Sequence, residues 1–331
     1  MSKLRILVTG GAGFLGSSLC QSLVEQGHLV LALDSLFRGK KANLVDILAA
    51  ENFQFVHGDV RDLEVLDSAV ESLGGLDLVY HLAAVNGTKW FHEAAHSVID
   101  VNINGTLRTL ELAMAHDARY VFASSPEAFG ETEIQPISDG NIMQFTDPSE
   151  HQRHSYGGSK YLGEVACQHA AREGLDVRIV RPFNAYGPRL VGDQYGQVVS
   201  IFFNKVLNNE TMTIHGDGTQ TRSFTWVDDV TSGFVKTGLL ELGIDGSNLS
   251  GQAFNIGSTE EISIVNLANI ILETSGKSGI RQQNETGYYG DSKRRLPDVV
   301  KSENLLGWSC EVNLSDGLKR MWNDLTKESQ P

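Results

Sequence analysis

Residues 8–16 read VTGGAGFLG, directly on the end of the apolar run RILVTG at 5–10. Gly10, Gly13 and Gly16 are spaced three apart, and a helical pattern over 14–27 follows. Glycines at these places let a chain turn tightly out of a strand, bring its backbone against a pyrophosphate, and pack the next helix close to the strand. The helix opens through Phe14 and Leu15 between the last two glycines. Its first amides have no partner within the helix and face whatever anion lies in front of them. A glycine-rich turn holding no ligand is the competing reading. Asp34, at the end of the next apolar run, argues against it.

The rest of the chain repeats the strand–helix alternation. Apolar runs at 29–34, 53–59, 76–84, 120–125 and 177–184 read as buried strands. Helical stretches at 62–73, 93–116 and 156–173 lie between them. Apolar strands alternating with helices imply a parallel sheet covered on both faces. Past residue 185 the elements shorten, with helical patterns only near 263–275 and 314–326. The expected fold is α/β: a Rossmann-type doubly wound parallel sheet with a smaller C-terminal α/β substrate lobe. Residues 1–184 form the dinucleotide-binding domain and 185–331 mainly the lobe, with segments returning to the first domain.

Charge narrows the ligand. With 27 Lys and Arg against 41 Asp and Glu the net charge is −14. Nucleic acid, which wants a basic patch, and an anionic membrane surface are both unsuited to such a chain. An anionic small molecule is not, because a few buried arginines build a local positive pocket. Cys20, Cys167 and Cys310 are scattered without a C-x-x-C, so neither a disulfide framework nor a metal site is expected. The N-terminus enters a strand pattern without a signal-peptide core, and no apolar run has the length of a membrane span, which makes a cytoplasmic location the expectation.

Asp34 is placed to accept hydrogen bonds from the adenosine ribose hydroxyls, and its charge repels a 2′-phosphate, so NAD is expected over NADP. Arg38, Lys40 and Lys41 follow closely and pull the other way, since an arginine there accommodates the phosphate. Asp59, in HGDVRD, is placed to meet the adenine amino group; a helix N-cap is its competing role. Tyr156 and Lys160, in SYGGSKYLGE (155–164), are four apart and share a helix face. An ammonium beside the phenol lowers its pKa, which suits Tyr156 to take a proton near neutral pH. Ser125 ends the strand next to this site, and its hydroxyl can hold the oxygen from which the proton is taken.

TGGAGFLG, Asp34, GDVRD, YHLAA, SSPEAFG, YGGSK, RPFNAYGP and GDGTQTRSFTWVDDV occur in that order over nearly the whole chain. The set resembles the extended short-chain dehydrogenases that act on nucleotide sugars: the NAD-dependent epimerase, dehydratase and decarboxylase group. The resemblance implies a tightly bound NAD, lined also by Val60 and by Leu82, Ala83 and Ala84. It implies that Tyr156 removes the proton of the sugar's C4 hydroxyl, that Lys160 holds the nicotinamide ribose, and that Ser125 positions the C4 oxygen. On the substrate side it assigns Asn184 and Arg222 to the diphosphate, His215 to the base and ribose, and Arg295 to the diphosphate and sugar. The substrate it implies is a nucleotide sugar, UDP-linked, and the assembly a homodimer through helices 93–116 and 156–173.

Two residues narrow the reaction. Glu127, a fourth catalytic candidate whose carboxylate the resemblance places near the sugar's C5, stands two after Ser125, where dehydratases and UDP-glucuronate decarboxylases of this group carry a glutamate and simple 4-epimerases usually do not. Arg153 stands three before Tyr156, resembling the R-x-x-Y of the decarboxylases, and can hold a C6 carboxylate. Pro126 has no proton for a leaving hydroxyl. Lys89 and Trp90, in VNGTKWF, depart from the decarboxylase pattern; they are expected in the sugar pocket, with a solvated loop as the alternative. The expected reaction is decarboxylation of a UDP-hexuronic acid, with 4-epimerisation and then 4,6-dehydration as alternatives. Outside the class stands a catalytically silent NAD-binding protein, which would be expected to have lost Tyr156, Lys160 or Ser125.

Overall fold

The computed structural model describes residues 3–193, 196–287 and 292–328. Its strands are β1 (Arg5–Thr9), β2 (Leu29–Asp34), β3 (Phe53–His57), β4 (Leu78–His81), β5 (Arg119–Ala123), β6 (Val177–Pro182), β7 (Ala185–Tyr186), β8 (Met212–His215), β9 (Thr221–Ser223), β10 (Thr225–Trp226), β11 (Ala253–Ile256), β12 (Glu261–Ser263), β13 (Gln282–Glu285) and β14 (Arg294–Arg295). The helices are α1 (Phe14–Glu25), α2 (Leu63–Leu73), α3 (Thr88–Glu93), α4 (Ala95–Ala115), α5 (His154–Arg172), α6 (Val198–Leu207), α7 (Val227–Leu239), α8 (Ile264–Ser275), α9 (Val300–Leu306) and α10 (Leu314–Glu328).

Seven strands form one sheet in the order β11-β6-β5-β4-β1-β2-β3, parallel at every junction. Successive side chains of a strand point to opposite faces. On one face Ile6 and Val8 pack with Leu19 and Leu23 of α1 and Val230 and Phe234 of α7. On the other, Leu7, Leu31 and Val79 pack with Leu66 of α2, Leu110 of α4 and Cys167 of α5. Both faces are dry, which is why the strands read as unbroken apolar runs.

The smaller lobe has its own core, built from Val199, Phe202 and Phe203 of α6, Ile214 of β8, Leu267 and Ile271 of α8, and Leu318 of α10. It carries the β8–β13 pair and the three-stranded β12-β9-β14 sheet. The chain does not divide once. After residue 185 it returns α7 and β11 to the large sheet, where β11 pairs with β6 and its Phe254 and Ile256 join the main core.

Several elements end sooner than the apolar runs. β1 stops at Thr9, β3 at His57, β4 at His81, β5 at Ala123 and β6 at Pro182. Residues beyond those points, among them Gly10, Asp59, Leu82–Ala84, Ser125 and Asn184, leave the ladder and line a crevice. The stretch read as a helix at 93–116 is α4, and the short helix α3, which the sequence did not show, precedes it across a break at Ala94 (φ −134°, ψ 37°). Helices α6, α7 and α9 add to the expected set. Cys20 and Cys167 are buried, Cys310 is half-buried, and all three are unbridged. Among the described residues no helix is long and apolar enough to cross a membrane.

Candidate active site

Where β1 and β4 part, the strand ends open into a cavity of about 910 Å³ that runs from the glycine loop to β8 and β9 of the lobe. Gly10, Gly13, Phe14, Leu15, Gly16, Asp34, Asp59, Val60, Leu82, Ala83 and Ala84 line one part of it. Ser125, Glu127, Arg153, Tyr156, Lys160, Asn184, His215 and Arg222 line the rest. Lys89 and Arg295 are not part of the lining.

At the first end, Gly10 has φ +69°, and a Cβ there would stand 2.8 Å from the Ala83 amide nitrogen. A Cβ on Gly16 would come to 2.0 Å from the Gly10 carbonyl oxygen, so α1 can lie this close to β1 only with glycine at that position. Gly13 begins α1 without a side-chain capping bond. Asp34, 7% exposed, accepts from the amides of Ala12 (2.9 Å) and Leu36 (2.7 Å). Burial raises its carboxyl above the usual range while those amides oppose the rise. A tight glycine cradle, uncapped helix amides and a fixed carboxylate at the end of β2 fit a dinucleotide. Asp59 is not a helix cap: Asp62 caps α2, accepting from Glu64 and Val65, and Asp59 pairs with Arg61 at 2.6 Å.

In the middle stand Ser125, Tyr156 and Lys160, three of the four catalytic candidates. Tyr156 is 6% exposed and lines the cavity beside Ser125. The expected lowering of that phenol by Lys160 is absent. Burial pushes it above its ordinary value, the nearby Ser125 hydroxyl pulls it back in part, and the charge of Glu127 adds to the rise. The Lys160 ammonium lies 5.8 Å from the Tyr156 ring centre and donates to the Ala123 carbonyl at 2.7 Å. Burial brings Lys160 itself down to about 8. Gly157 lets α5 approach this closely, since a Cβ there would stand 2.4 Å from the Glu127 carbonyl.

Glu127 lies between two arginines. One carboxylate oxygen is 3.3 Å from Arg153 and the other 3.3 Å from Arg295. Burial opposes its charge, but Arg295, Arg153, Arg222 and His154 outweigh burial and hold the carboxyl at about 2. Arg295, 3% exposed, stands behind the cavity wall and donates to the carbonyls of Pro126 (2.8 Å) and Gly130 (3.2 Å). Arg295 therefore reaches the site through Glu127. Asn184 donates to the Ser223 carbonyl at 2.9 Å, and Arg222 to that of Thr221 at 2.8 Å. Trp90 lines the cavity, with its ring 5.4 Å from that of Phe37. Lys89 is 3.6 Å from Glu93, one helical turn on.

Three features went unseen in the sequence. Phe91 stacks on the Tyr156 ring, centres 4.7 Å apart and planes at 10°, and its carbonyl accepts from the Ser155 hydroxyl at 2.9 Å. Glu164, one turn after Lys160, binds Ser124 at 2.5 Å and Arg181 at 2.6 and 2.8 Å, which ties α5 to the end of β5. Glu131, His151 and His154 bring ligand atoms within 4.8 Å of one another. His151 accepts the Arg153 amide at Nδ1, so its Nε2 carries the proton and donates to Glu131 at 2.9 Å. With Thr146, which donates to Glu131 at 3.0 Å, the three side chains form a hydrogen-bond network.

Residues 6–257 match the profile of the NAD dependent epimerase/dehydratase family. The UDP-glucuronic acid decarboxylase 1 of Xenopus tropicalis is 34% identical over 331 residues, covering 98% of this chain and 73% of that protein. The crystal structure of UDP-glucose 4-epimerase from Thermotoga maritima with UDP-glucose superposes with a TM-score of 0.88 at 29% identity, covering 98% of this chain and 99% of that one. UDP-glucuronic acid 4-epimerase from Bacillus cereus, in complex with UDP-glucuronic acid and NAD, gives 0.85 at 28% identity, covering 98% and 99%.

The Glu127 clamp has a pH signature. A carboxyl held at about 2 in the fold, against an ordinary 4.5, contributes stability that is present above 4.5 and lost as pH falls toward 2. The contribution is roughly 3 kcal/mol at neutral pH. Urea unfolding of wild type and Glu127→Gln is expected to differ by about that amount at pH 7, with the gap closing below pH 4.5. A gap independent of pH contradicts the clamp.

Proposed function

The chain belongs to the NAD dependent epimerase/dehydratase family, and from that premise we propose that it decarboxylates a UDP-hexuronic acid through a transient 4-keto sugar. The glycine loop would hold the pyrophosphate of NAD, Asp34 the adenosine ribose, and Lys160 with Tyr156 the nicotinamide ribose. NAD, when bound, supplies a hydride acceptor at C4 and afterwards a hydride donor. Tyr156 takes the C4 hydroxyl proton while Ser125 holds the oxygen. Once C4 is a ketone, the C6 carboxylate belongs to a β-keto acid. The C5–C6 bond breaks, its electron pair moves toward the C4 oxygen as an enolate, and carbon dioxide leaves. A proton then returns to C5, hydride to C4, and Tyr156 gives its proton back to the C4 oxygen.

The observation that carries this reading is Glu127 between Arg153 and Arg295. A carboxylate whose acid form titrates at about 2 is a weak base, poorly suited to take the C5 proton that a 4,6-dehydration requires. Its work is to neutralise and fix arginines. Arg153 and Arg295 pair with the one carboxylate and the charge of Arg222 also reaches it, which leaves this end of the cavity positive and favours a sugar bearing an acid group. A second reading, 4-epimerisation of the same hexuronate, is favoured by the likeness to the Bacillus cereus 4-epimerase. It uses the same Tyr156, Ser125 and Lys160, and differs only in what the 4-keto sugar does next.

Mass spectrometry after incubation with NAD and UDP-glucuronate separates the outcomes. Loss of carbon dioxide is expected, and Tyr156→Phe abolishes it. Unchanged mass with C4 inverted by NMR makes the protein an epimerase, and loss of water from UDP-glucose, whose C6 carries the hydroxyl that a 4,6-dehydration expels, makes it a dehydratase; either result overturns the decarboxylase reading.

We propose also that the chain is a homodimer through α4 and α5. These helices pack on each other and leave Ile99, Leu107 and Met114 on the one and Leu162 and Val165 on the other between 43% and 49% exposed. The apolar residues of α4 recur at helical spacing on one face, which suits an isologous four-helix contact. Light scattering is expected to give twice the chain mass for wild type and a monomer for Leu107→Glu/Leu162→Glu. A monomeric wild type at micromolar concentration contradicts the dimer.

A further inference from the structure

Arg38 is the sequence feature that the NAD reading leaves unexplained. It follows Asp34 by four residues and lines the same cavity. An arginine in that place is suited to receive the 2′-phosphate of NADP, because its fork pairs with two phosphate oxygens. In the structure the fork is engaged elsewhere. Both terminal nitrogens of Arg38 donate to Asp193, at 3.1 and 3.3 Å from one and 3.3 Å from the other. Asp193 comes from the segment between β7 and α6, 155 residues away. That segment is fastened to the large domain a second time through Arg189, which donates to Gln21 at 3.0 Å and Asp46 at 3.2 Å.

We propose that Asp193 is a cofactor-selecting residue. Asp34 favours NAD by accepting from the ribose hydroxyls and repelling a phosphate. That repulsion alone is open to cancellation by a neighbouring guanidinium. Asp193 prevents the cancellation in two ways. It occupies the hydrogen-bonding fork of Arg38, and it adds a second negative charge beside the guanidinium that would receive a dianionic 2′-phosphate. The basic residue after β2 then no longer argues for NADP, because its charge is balanced from the other lobe. The Arg38 and Asp193 side chains are 25% and 45% exposed, and a pair this open contributes little to folding. Changing Asp193 therefore alters selection more than stability.

The inference rests on the family's use of NAD and is tested by binding alone, independent of which sugar is the substrate. Full-length protein stripped of bound dinucleotide is titrated calorimetrically with NAD and with NADP. Asp193→Asn keeps the shape of the side chain and removes its charge. It is expected to tighten NADP binding roughly tenfold, the effect of freeing one charged hydrogen-bond donor for a phosphate. NAD affinity is expected to stay within about twofold. Adding Arg38→Gln to that variant is expected to return NADP affinity to the wild-type level. An unchanged ratio of the two affinities in Asp193→Asn overturns the proposal. An equal weakening of both reduces Asp193 to a loop fastener, and tightening that survives Arg38→Gln shows that Arg38 is not the receptor; each of these results overturns it as well.

Discussion

Because all seven strands of the main sheet run the same way, each of them ends at one edge, and everything the protein can do is gathered there. β1 ends in the glycine loop, β2 in Asp34, β3 two residues before Asp59, β4 in front of Leu82–Ala84, β5 in front of Ser125 and Glu127, and β6 in front of Asn184. An antiparallel pair would send every second end to the opposite side. The helices that return the chain between parallel strands bury both faces of the sheet, so that the edge is the place left for polar side chains. The β1–α1 contact, with no room for a Cβ at Gly16, sets how deep the crevice begins.

Burial at that edge decides which groups are charged. Tyr156 is kept neutral, since a buried phenolate lacks a cation close enough to outweigh desolvation. Glu127 is less enclosed, its side chain 22% exposed, and two guanidinium groups at 3.3 Å keep it ionised. Lys160, brought to about 8, titrates close to neutral pH. In the proposed reaction the phenol would act as a base with the positive charge of bound NAD beside it. Phe91, stacked on the ring, and Glu164, which ties α5 to the end of β5, fix the orientation in which that happens.

Much of this was legible in the sequence, for identifiable reasons. Glycine spacing, apolar runs and the four-residue step from Tyr156 to Lys160 are local patterns, and local geometry enforces them. The strand end was read too long at 76–84, because Leu82, Ala83 and Ala84, which leave the ladder to line the crevice, are as apolar as the residues inside it; at 5–10 and 53–59 the overrun is Gly10 and Gly58–Asp59. The break at Ala94 was invisible, since no proline or glycine marks it. Contacts between distant segments were the hardest to foresee. Nothing near Arg38 hints at Asp193, nothing near Tyr156 announces Phe91 as its stacking partner, and Lys160 gives its hydrogen bond to the Ala123 carbonyl where a lowered phenol was expected.

The central claim is that hydride leaves C4 of the sugar and returns to the same carbon within one closed site. UDP-glucuronate carrying deuterium at C4 tests it directly, with the product analysed by NMR. The label is expected at C4 of the product, undiluted by solvent hydrogen, together with a slower turnover than for the unlabelled sugar. Label washed out to water, or found at another carbon, contradicts the account.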